Sequence, residues 1–485
     1  MNIKQQTIRG VAWSFLQNWS SQMGSLLIFL VMARLLAPES FGLVALANSF
    51  LAFVSISINQ GLTAALVQRP DLDSEHLDSA FWAQVCLGLF FSLLGLASAS
   101  TIALIFQEPL LKSIVQAFSI LPFLESLNMV HIAILRRQIA FQKIATRVLI
   151  GILVSGVVGV TLAFQGYGVW SLVGQQITFE VVGVAAFWSL SSWRPKLKFS
   201  LDRLKELYSF GAPALSSNIL TYLNQNTDTL LIGYFLGSIS LGYYAVAYRV
   251  FQVLIQLLVQ TPNQVIFPAL SRLQSDTGRL VNAFYKALQF SSLIAFPFFL
   301  GVVSLADELV LTIFGEQWYP SIPIMQILSV GGMIYFIILL NQSVLIAIGH
   351  PFQNVKLDIL NSTLNFIFCW MAVKWGVLAV ALAYVASDFL VIPVSIWMLK
   401  KFLKVTFLDY LNRLMAPLAY SIAMLVVIVM FKSFLSSLVE SHWVIIISTM
   451  LGGLLYIAML FIFTRHLFYE LWGLRKLLMS RHGKS

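Results

Sequence analysis

Apolar runs of roughly twenty residues recur along the 485-residue chain, separated by short stretches rich in charge, Pro or Gly. About 20 apolar residues in helix are enough to cross a hydrocarbon core about 30 Å thick. Read on that scale, the pattern predicts about fourteen transmembrane helices. Their limits are 11–33, 41–66, 80–105, 114–135, 148–165, 169–190, 208–236, 240–262, 282–304, 322–348, 356–375, 377–399, 415–436 and 443–464. No alternating strand pattern competes with them, so the expected class is an all-α integral membrane protein.

Three segments between spans mix Leu, Phe and Trp with Lys and Arg at helical spacing: FSLDRLKELYSFG, FLKVTFLDYLNRLM and HLFYELWGLRKLL. This composition predicts helices lying along the membrane interface, with solvated linkers as the competing reading.

The spans also repeat. Phe41–Ala47, FGLVALA, matches Leu241–Ala247, LGYYAVA, at an offset of 200. GVWSLVGQQITFEVV from Gly168 matches GVLAVALAYVASDFLV from Gly376 at an offset of 208, which pairs Glu180 with Asp388. Two similar offsets predict a duplicated six-helix unit. Six spans are an even number, so both copies run in the same sense, the parallel type of transporter repeat. The expected organisation is an N-terminal lobe over 1–195 and a second lobe over 196–400. The remainder, 401–485, would hold an interfacial helix, two further membrane helices and a basic tail. Two similar lobes can rock about a site between them, which is how alternating access is commonly built.

Composition strengthens the membrane reading. Hydrophobic residues make up 59% of the chain and charged residues only 10%, against about a quarter charged in soluble domains. Mean hydropathy is +0.85. The net charge of +10 invites a nucleic-acid reading, but placing the N-terminus in the cytoplasm explains it more simply. Twenty-five of the 30 Lys and Arg residues then fall in inside-facing segments, Arg147 among them. Arg34, Lys112, Lys374 and Lys432 fall at outer ends, and Arg249 lies within a span. That asymmetry predicts both termini in the cytoplasm and no nucleic-acid partner. The opening MNIKQQTIRG leads into an apolar run without a cleavage-site pattern, so the first helix is expected to be retained. Cys86 and Cys369 sit in apolar runs without metal-ligand neighbours and read as small core residues.

Ionisable groups inside spans are costly and mark pathways or pairs. The candidates are Glu125, His131, Glu180, Asp228, Arg249 and Asp388. Asp228 lies about ten residues before the turn at 237–240 and Arg249 about ten after it, so both sit roughly 15 Å from that turn. An ion pair between them is one reading. Binding of an anionic group by Arg249, through its planar fork, is the other. Glu180 and Asp388 are either neutral hydrogen-bonded acids or carriers of a coupling proton or sodium ion. Glu125 and His131 are six residues apart in the fourth span and so fall on different faces. Asn18, Gln22, Asn48, Asn59 and Gln60 in the first half, with Asn218, Asn224 and Asn226 in the second, could line a hydrophilic cavity or join helices. Pro213, Pro262, Pro268, Pro297, Pro323 and Pro393 predict kinks. No P-loop, HExxH, CxxC or Gly-rich dinucleotide turn is found, so neither a catalytic nor a metal-binding residue is assigned.

The stretches TIRGVAWSFLQNW, MARLLAPESFGLVALA, ALVQRPDLDSEHLDSAFW, ILRRQIAFQKIA, GYGVWSLV and NTDTLLIGYFLGSISLGYYAVAYRV resemble the polysaccharide transporter branch of the MOP exporter superfamily. That branch includes Wzx-type flippases and teichuronic acid exporters. The resemblance covers nearly the whole chain. It implies two six-helix lobes around a V-shaped cavity, with two additional C-terminal helices. It also implies a bacterial inner-membrane flippase that moves an oligosaccharide on undecaprenyl pyrophosphate to the periplasmic leaflet. Drive would come from a proton or sodium gradient, without an enzyme activity or a bound cofactor. Partners would be the lipid-linked oligosaccharide, membrane lipids and, as candidates, the polysaccharide polymerase and export machinery.

On this reading Arg249 is the first candidate for the anionic headgroup and Arg34 the second, although Arg34 could simply snorkel to the interface. Asn224, Asn226 and Asp228 would face the glycan. Glu180, Asp228 and Asp388 are the coupling candidates. A multidrug exporter of the same superfamily predicts an acid-dominated cavity, which Arg249 argues against. A polysaccharide polymerase predicts a large outward loop, and no outward loop exceeds about twenty residues on this span assignment. A membrane scaffold would gain nothing from polar helix interiors.

Overall fold

The computed structural model describes residues 3–59, 62–69, 71–403, 405–435 and 439–464, with side chains described outside 3–18, 59, 64 and 208–221. Seventeen α-helices account for nearly all of them: α1 Ile3–Leu35, α2 Pro38–Asn59, α3 Leu62–Gln68, α4 Ser74–Ile105, α5 Pro109–Phe118, α6 Leu121–Ser126, α7 Met129–Arg137, α8 Phe141–Phe164, α9 Val169–Leu190, α10 Leu201–Ile255, α11 Thr261–Ser271, α12 Thr277–Leu309, α13 Ser321–Ala347, α14 Pro351–Ala372, α15 Val377–Phe402, α16 Phe407–Leu435 and α17 Ser441–Phe463. Eleven helical segments among the described residues are long and apolar enough to cross a membrane. Leu104, Leu153, Phe164 and Phe463 are among many large apolar side chains left exposed. On a water-soluble protein such a surface would be an aggregation hazard; against lipid it is the expected exterior. The chain is a multi-pass membrane protein.

Several predicted helices are subdivided. The fourth span breaks into α5, α6 and α7, so Glu125 and His131 lie on separate short helices. The third amphipathic segment, with Asn18, Asn59, Gln60, Pro213 and Asn218, lies outside the described residues and side chains. The second is not a separate interfacial helix: α16 runs unbroken from Phe407 to Leu435. Its first turns bury Tyr410 and Leu414 and expose Leu408 and Met415.

The chain forms two compact units. One comprises Met1–Arg249 and Val355–Ser387, the other Val250–Asn354 and Asp388–Ser485. In the first, α10 is interrupted at Gly237, whose φ of 79° and ψ of 177° no helix contains. Glycine adopts that conformation without a Cβ penalty. Tyr244 and Asp228 nevertheless hydrogen-bond across this point. Sixteen residues of continuous helix would hold them about 24 Å apart, so the chain must reverse at Gly237.

The segment before α10 is pinned to the start of α4. Trp82 Nε1 donates to the Lys196 carbonyl (2.8 Å), the Lys196 N–H to Asp78 (3.0 Å) and the Ser200 N–H to Ser79 (2.9 Å). Asp73 caps α4 by accepting the His76 N–H at 2.9 Å. The His76 ring, buried, has Nδ1 2.6 Å from Asp73 and Nε2 3.3 Å from Glu206. Arg69 bonds Glu206, and Arg203 reaches Asp73 at 3.1 Å. Basic residues also close the C-terminal end of α9: Arg194 donates to the Trp188 and Ser191 carbonyls (2.7 and 2.6 Å) and Lys143 to that of Leu190 (3.1 Å). Several cations of the positive-inside count thus serve local caps.

In the second unit, α12 packs on α16 and α17 around Leu293, Leu305, Met424, Ile428, Tyr456 and Leu460. Pro297 lies inside α12 and lacks the N–H that would bond the Leu293 carbonyl. Tyr456 from α17 donates its hydroxyl to that carbonyl at 2.8 Å. A neighbouring helix therefore satisfies the group the proline frees. Lys432 ties α16 to α12 through Asp307 and Glu308, both at 3.2 Å. Tyr410 donates to Asn341 (3.0 Å), which donates to Ser395 (2.9 Å). Five-residue π-helical stretches at Gln256–Gln260 and Val310–Phe314 continue α10 and α12.

Candidate functional site in the membrane interior

Three polar groups occupy the apolar interior of the first unit. The first lies where the two arms of α10 meet α14 and α15. Asp228 is fully buried. One carboxylate oxygen accepts the Tyr244 hydroxyl and the other the Thr229 N–H at 2.8 Å. Tyr244 stacks on Tyr248 (centroids 5.7 Å apart, 16° between planes), and Tyr248 meets Tyr384 edge-on at 6.3 Å. Four residues before Asp228, Asn224 accepts from the Asn365 amide through its carbonyl (3.0 Å) and its own side chain (3.2 Å). Cys369 donates to Asn365 at 3.0 Å. Asn226 is turned back on its own helix, donating to the Tyr222 carbonyl at 3.0 Å.

The second group joins α2, α6, α8 and α9. Ser55 donates to Glu125 at 2.6 Å. Arg147 pairs with Glu180 at 3.4 Å. Only 7% of Arg147 is exposed, because its guanidinium lies between the Phe179 and Phe187 rings, 4.6 and 5.0 Å from their centroids. Gly183 allows this: a Cβ there would overlap the guanidinium. Glu180 keeps 24% of its side chain exposed and lies within electrostatic reach of Glu125. Glu180 thus has Arg147 on one side and the Glu125 carboxylate in reach on the other. Close by in sequence, Gln176 donates to Asn48 at 2.8 Å.

The third group is Arg249 with Ser25. The guanidinium donates to the Ser25 hydroxyl of α1 at 2.7 Å. Among the described residues no carboxylate forms an ion pair with it. Hydrogen-bond reach of one neutral hydroxyl leaves the full positive charge of Arg249 available to an anion.

These placements correct two sequence expectations. Asp228 and Arg249 do not pair, although their spacing from the turn predicts similar depths. They point to different helices, Asp228 to its own hairpin and Arg249 to α1. Arg147 is not an inside-facing loop cation. It lies within the apolar helix α8, which begins at Phe141, and neutralises Glu180, so the predicted span limit at 148 was short by about two turns. Arg34 is exposed in the last turn of α1. Asp388 is buried in the second unit. His131 is buried between Trp188 and Trp193, with ring centroids 5.2 and 5.3 Å away, in keeping with a core role.

Tyr244, Asn365, Ser25 and Ser55 were not visible as site residues in the sequence. Hydroxyls and amides are common in membrane helices, and their partners are fixed only by which helices touch. One signal existed for Tyr244: it sits nearly as far after Gly237 as Asp228 sits before it.

Comparison with known proteins agrees with this architecture. TuaB, the teichuronic acid biosynthesis protein of Bacillus subtilis, is 25% identical over 87% of this chain and 88% of its own. ExoT, the succinoglycan biosynthesis transport protein of Rhizobium meliloti, is 28% identical over 68% of this chain and 67% of its own. Among solved structures, the inward closed conformation of the lipid II flippase MurJ superposes with a TM-score of 0.76 at 17% identity. It covers 94% of this chain and 100% of that one, a likeness of fold. Residues 31–323 match the family described as polysaccharide biosynthesis protein, and with that match over more than half its length the chain belongs to this family, as the resemblance in its motifs implied.

Proposed function

We propose that this protein is a secondary-active flippase that moves an undecaprenyl-pyrophosphate-linked oligosaccharide across the bacterial inner membrane for surface polysaccharide assembly. The observation that carries the reading is Arg249, a membrane-interior guanidinium held by the neutral Ser25 hydroxyl and by no described carboxylate. An unneutralised cation in a membrane helix is costly, and a pyrophosphate is an anion that its fork can bind in two-point fashion. Family membership supports the glycan. Asn224 and Asn226 are the amides assigned to it, and Arg34 is the second headgroup candidate. The Glu180–Arg147 pair with Glu125 beside it is the first coupling candidate in the first unit, ahead of the fully buried Asp228, with Asp388 in the second. A proton or sodium gradient would supply the drive, and no chemical step is assigned.

The finer architecture belongs to this proposal. Counting α1, α14 and the reversal at Gly237 with the eleven apolar segments supports fourteen crossings. We assign 1–195 and 196–400 to two repeat-related lobes and 401–485 to a C-terminal extension, with both termini cytoplasmic. The repeat has one independent support. Gly42 packs on the Ser238 backbone and Gly242 on the Pro38 backbone, and an offset of 200 exchanges the two contacts.

The test is complementation of a strain lacking its polysaccharide flippase. Wild type and Arg249→Lys should restore surface glycan, with Arg249→Ala at least tenfold lower at equal membrane abundance. No restoration in any glycan background, together with raised drug resistance, would favour the multidrug exporter.

A further inference from the structure

Where α4 packs against α6 and α7, the first unit buries polar groups that no hydrogen bond explains. Gln84, Asn128 and His131 are 0%, 2% and 0% exposed. Both amide atoms of Gln84, the amide oxygen of Asn128 and both ring nitrogens of His131 have no hydrogen-bond partner among the described residues. Buried polar groups are nearly always satisfied, by protein or by ordered water. Packing between Trp188 and Trp193 accounts for the His131 ring but not for its nitrogens, since a phenyl ring would fill the same slot with no polar atom to desolvate.

The register of the helices brings these groups to one level. A Cβ on Gly88 would lie 2.7 Å from Ser126 Oγ, and one on Gly95 would lie 2.6 Å from Ser119 Oγ. Seven positions forward along α4 are thus seven back along the facing chain. Continued four positions the other way, Gln84 comes opposite Val130, level with Asn128 and His131. Val85 and Val130 belong to one packed cluster. Phe81, one turn before Gln84, is edge-on to the same two indoles that flank His131.

Polar groups continue in both directions. Glu125, which accepts from Ser55, precedes Asn128 by about one turn and His131 by about two. Asp78 precedes Gln84 by about two turns on α4 and is buried. One of its oxygens accepts the Lys196 N–H at 3.0 Å, and the other is unpartnered among the described residues. The buried Ser191 hydroxyl, close to Trp193 in sequence, is unpartnered there too. Two turns of helix are about 10 Å long, the reach of three or four O–H···O hydrogen bonds in series.

We infer that Gln84, Asn128 and His131 hold a short file of ordered water that passes protons between Asp78, at the cytoplasmic end of α4, and the Glu125–Glu180 carboxylates. The inference rests on the reading of those carboxylates as a coupling site. Buried water takes about three polar partners. Gln84 offers a donor group and an acceptor, Asn128 an acceptor, and a neutral His131 one of each. The imidazole can accept a proton at one nitrogen and release one from the other, so no charge is left on the ring. Acids, histidine and water in series form such relays in transporters. Arg194 lies within electrostatic reach of His131, and its guanidinium is already engaged by the Trp188 and Ser191 carbonyls.

X-ray hydroxyl-radical footprinting in proteoliposomes tests for the water, because radicals formed from internal water oxidise the side chains beside it. Buried Phe81 should be oxidised severalfold more than Phe299, equally buried in the second unit, and Gln84→Leu should remove the excess. Translocation of fluorescent undecaprenyl-pyrophosphate oligosaccharide tests the relay. The ratio of rates with and without an imposed proton gradient should fall severalfold in Gln84→Leu. It should fall likewise in His131→Phe, which keeps an aromatic ring between the two indoles. A purely structural role would lower both rates together and leave the ratio unchanged. No excess oxidation of Phe81 in the wild type would overturn the water file, and this arm needs no cargo. Excess oxidation with the wild-type ratio in both variants would overturn the relay and leave the coupling reading intact. A wild type that translocates the lipid without responding to a proton gradient would sink proton coupling itself, and the relay with it.

Discussion

Glu180 and Asp228 are both carboxylates in membrane helices of the same unit, yet they are satisfied in opposite ways. Glu180 faces a guanidinium at 3.4 Å, lies within electrostatic reach of Glu125 and keeps part of its side chain exposed. Asp228 has no cation at hand. A tyrosine hydroxyl and a backbone N–H hold it, and no part of it is exposed. The first arrangement can exchange a proton or ion with its surroundings while Arg147 keeps the group anchored. The second fastens the two arms of α10 together, and the Asn224–Asn365 bonds extend the fastening to α14. Residue type and depth alone do not separate these roles; the partner and its access do.

Breaking the charged site should have the largest effect. Arg147→Ala leaves Glu180 without its cation and beside another carboxylate, Glu125, and removing one partner of a buried pair costs about 3–5 kcal/mol. Unfolding by steric trapping in bicelles should show a loss of that order, with Glu180→Gln recovering part of it in the double variant. Tyr244→Phe comes next. It strips one donor from a fully buried carboxylate, at about 1–3 kcal/mol, and should leave the ion pair at Glu180 untouched. If Tyr244→Phe proves as costly as Arg147→Ala, the contrast between the two sites fails.

Neutral contacts should cost less. Tyr456→Phe removes the donor to the Leu293 carbonyl, and membrane hydrogen bonds of this kind average about 0.6 kcal/mol. In a Pro297→Ala background the new N–H can bond Leu293 itself, so the same Tyr456→Phe change should become nearly silent. Equal costs in both backgrounds would show that Tyr456 does not brace the proline bend.

The exposed acids give the smallest effect. Backbone donation from His76 holds Asp73 below its usual carboxyl range, and hydrogen bonds from His76 and then Arg69 do the same for Glu206. The detached state binds more protons than the docked one. These contacts therefore stabilise docking of the start of α10 at neutral pH and lose that contribution as pH falls through the lowered values, below the ordinary 3.8 and 4.5. A solvent-sensitive fluorophore at Lys205→Cys, with Cys86→Ser, should report loosening only at that acid end. Loosening between pH 6 and 8 would contradict this assignment.

Much of the fold was legible because a membrane imposes one strong rule: backbone polar groups must be satisfied within helices, so apolar length reports each crossing. The interruption at Gly237 and the small-residue match at Gly42 and Gly242 were also readable as pattern. The site was legible only as a set of costly residues. Glu180, Asp228 and Arg249 stood out by their charge, whereas their partners did not. Arg147 was hidden by an error of about two turns in a span limit, enough to turn a buried counter-ion into an apparent inside-facing cation. The Asp228–Arg249 pair failed for a different reason: equal depth fixes one coordinate, and rotation about the helix axis decides which neighbour a side chain meets.

The most direct test of the central claim is transport by the purified protein. Proteoliposomes should be loaded with fluorescent undecaprenyl-pyrophosphate oligosaccharide, and the fraction reaching the opposite leaflet followed by a membrane-impermeant quencher. The account predicts ATP-independent translocation well above protein-free vesicles, accelerated by an imposed proton or sodium gradient and at least tenfold lower in Arg249→Ala. Translocation no faster than in empty vesicles, with either gradient imposed and across several glycans, would contradict it.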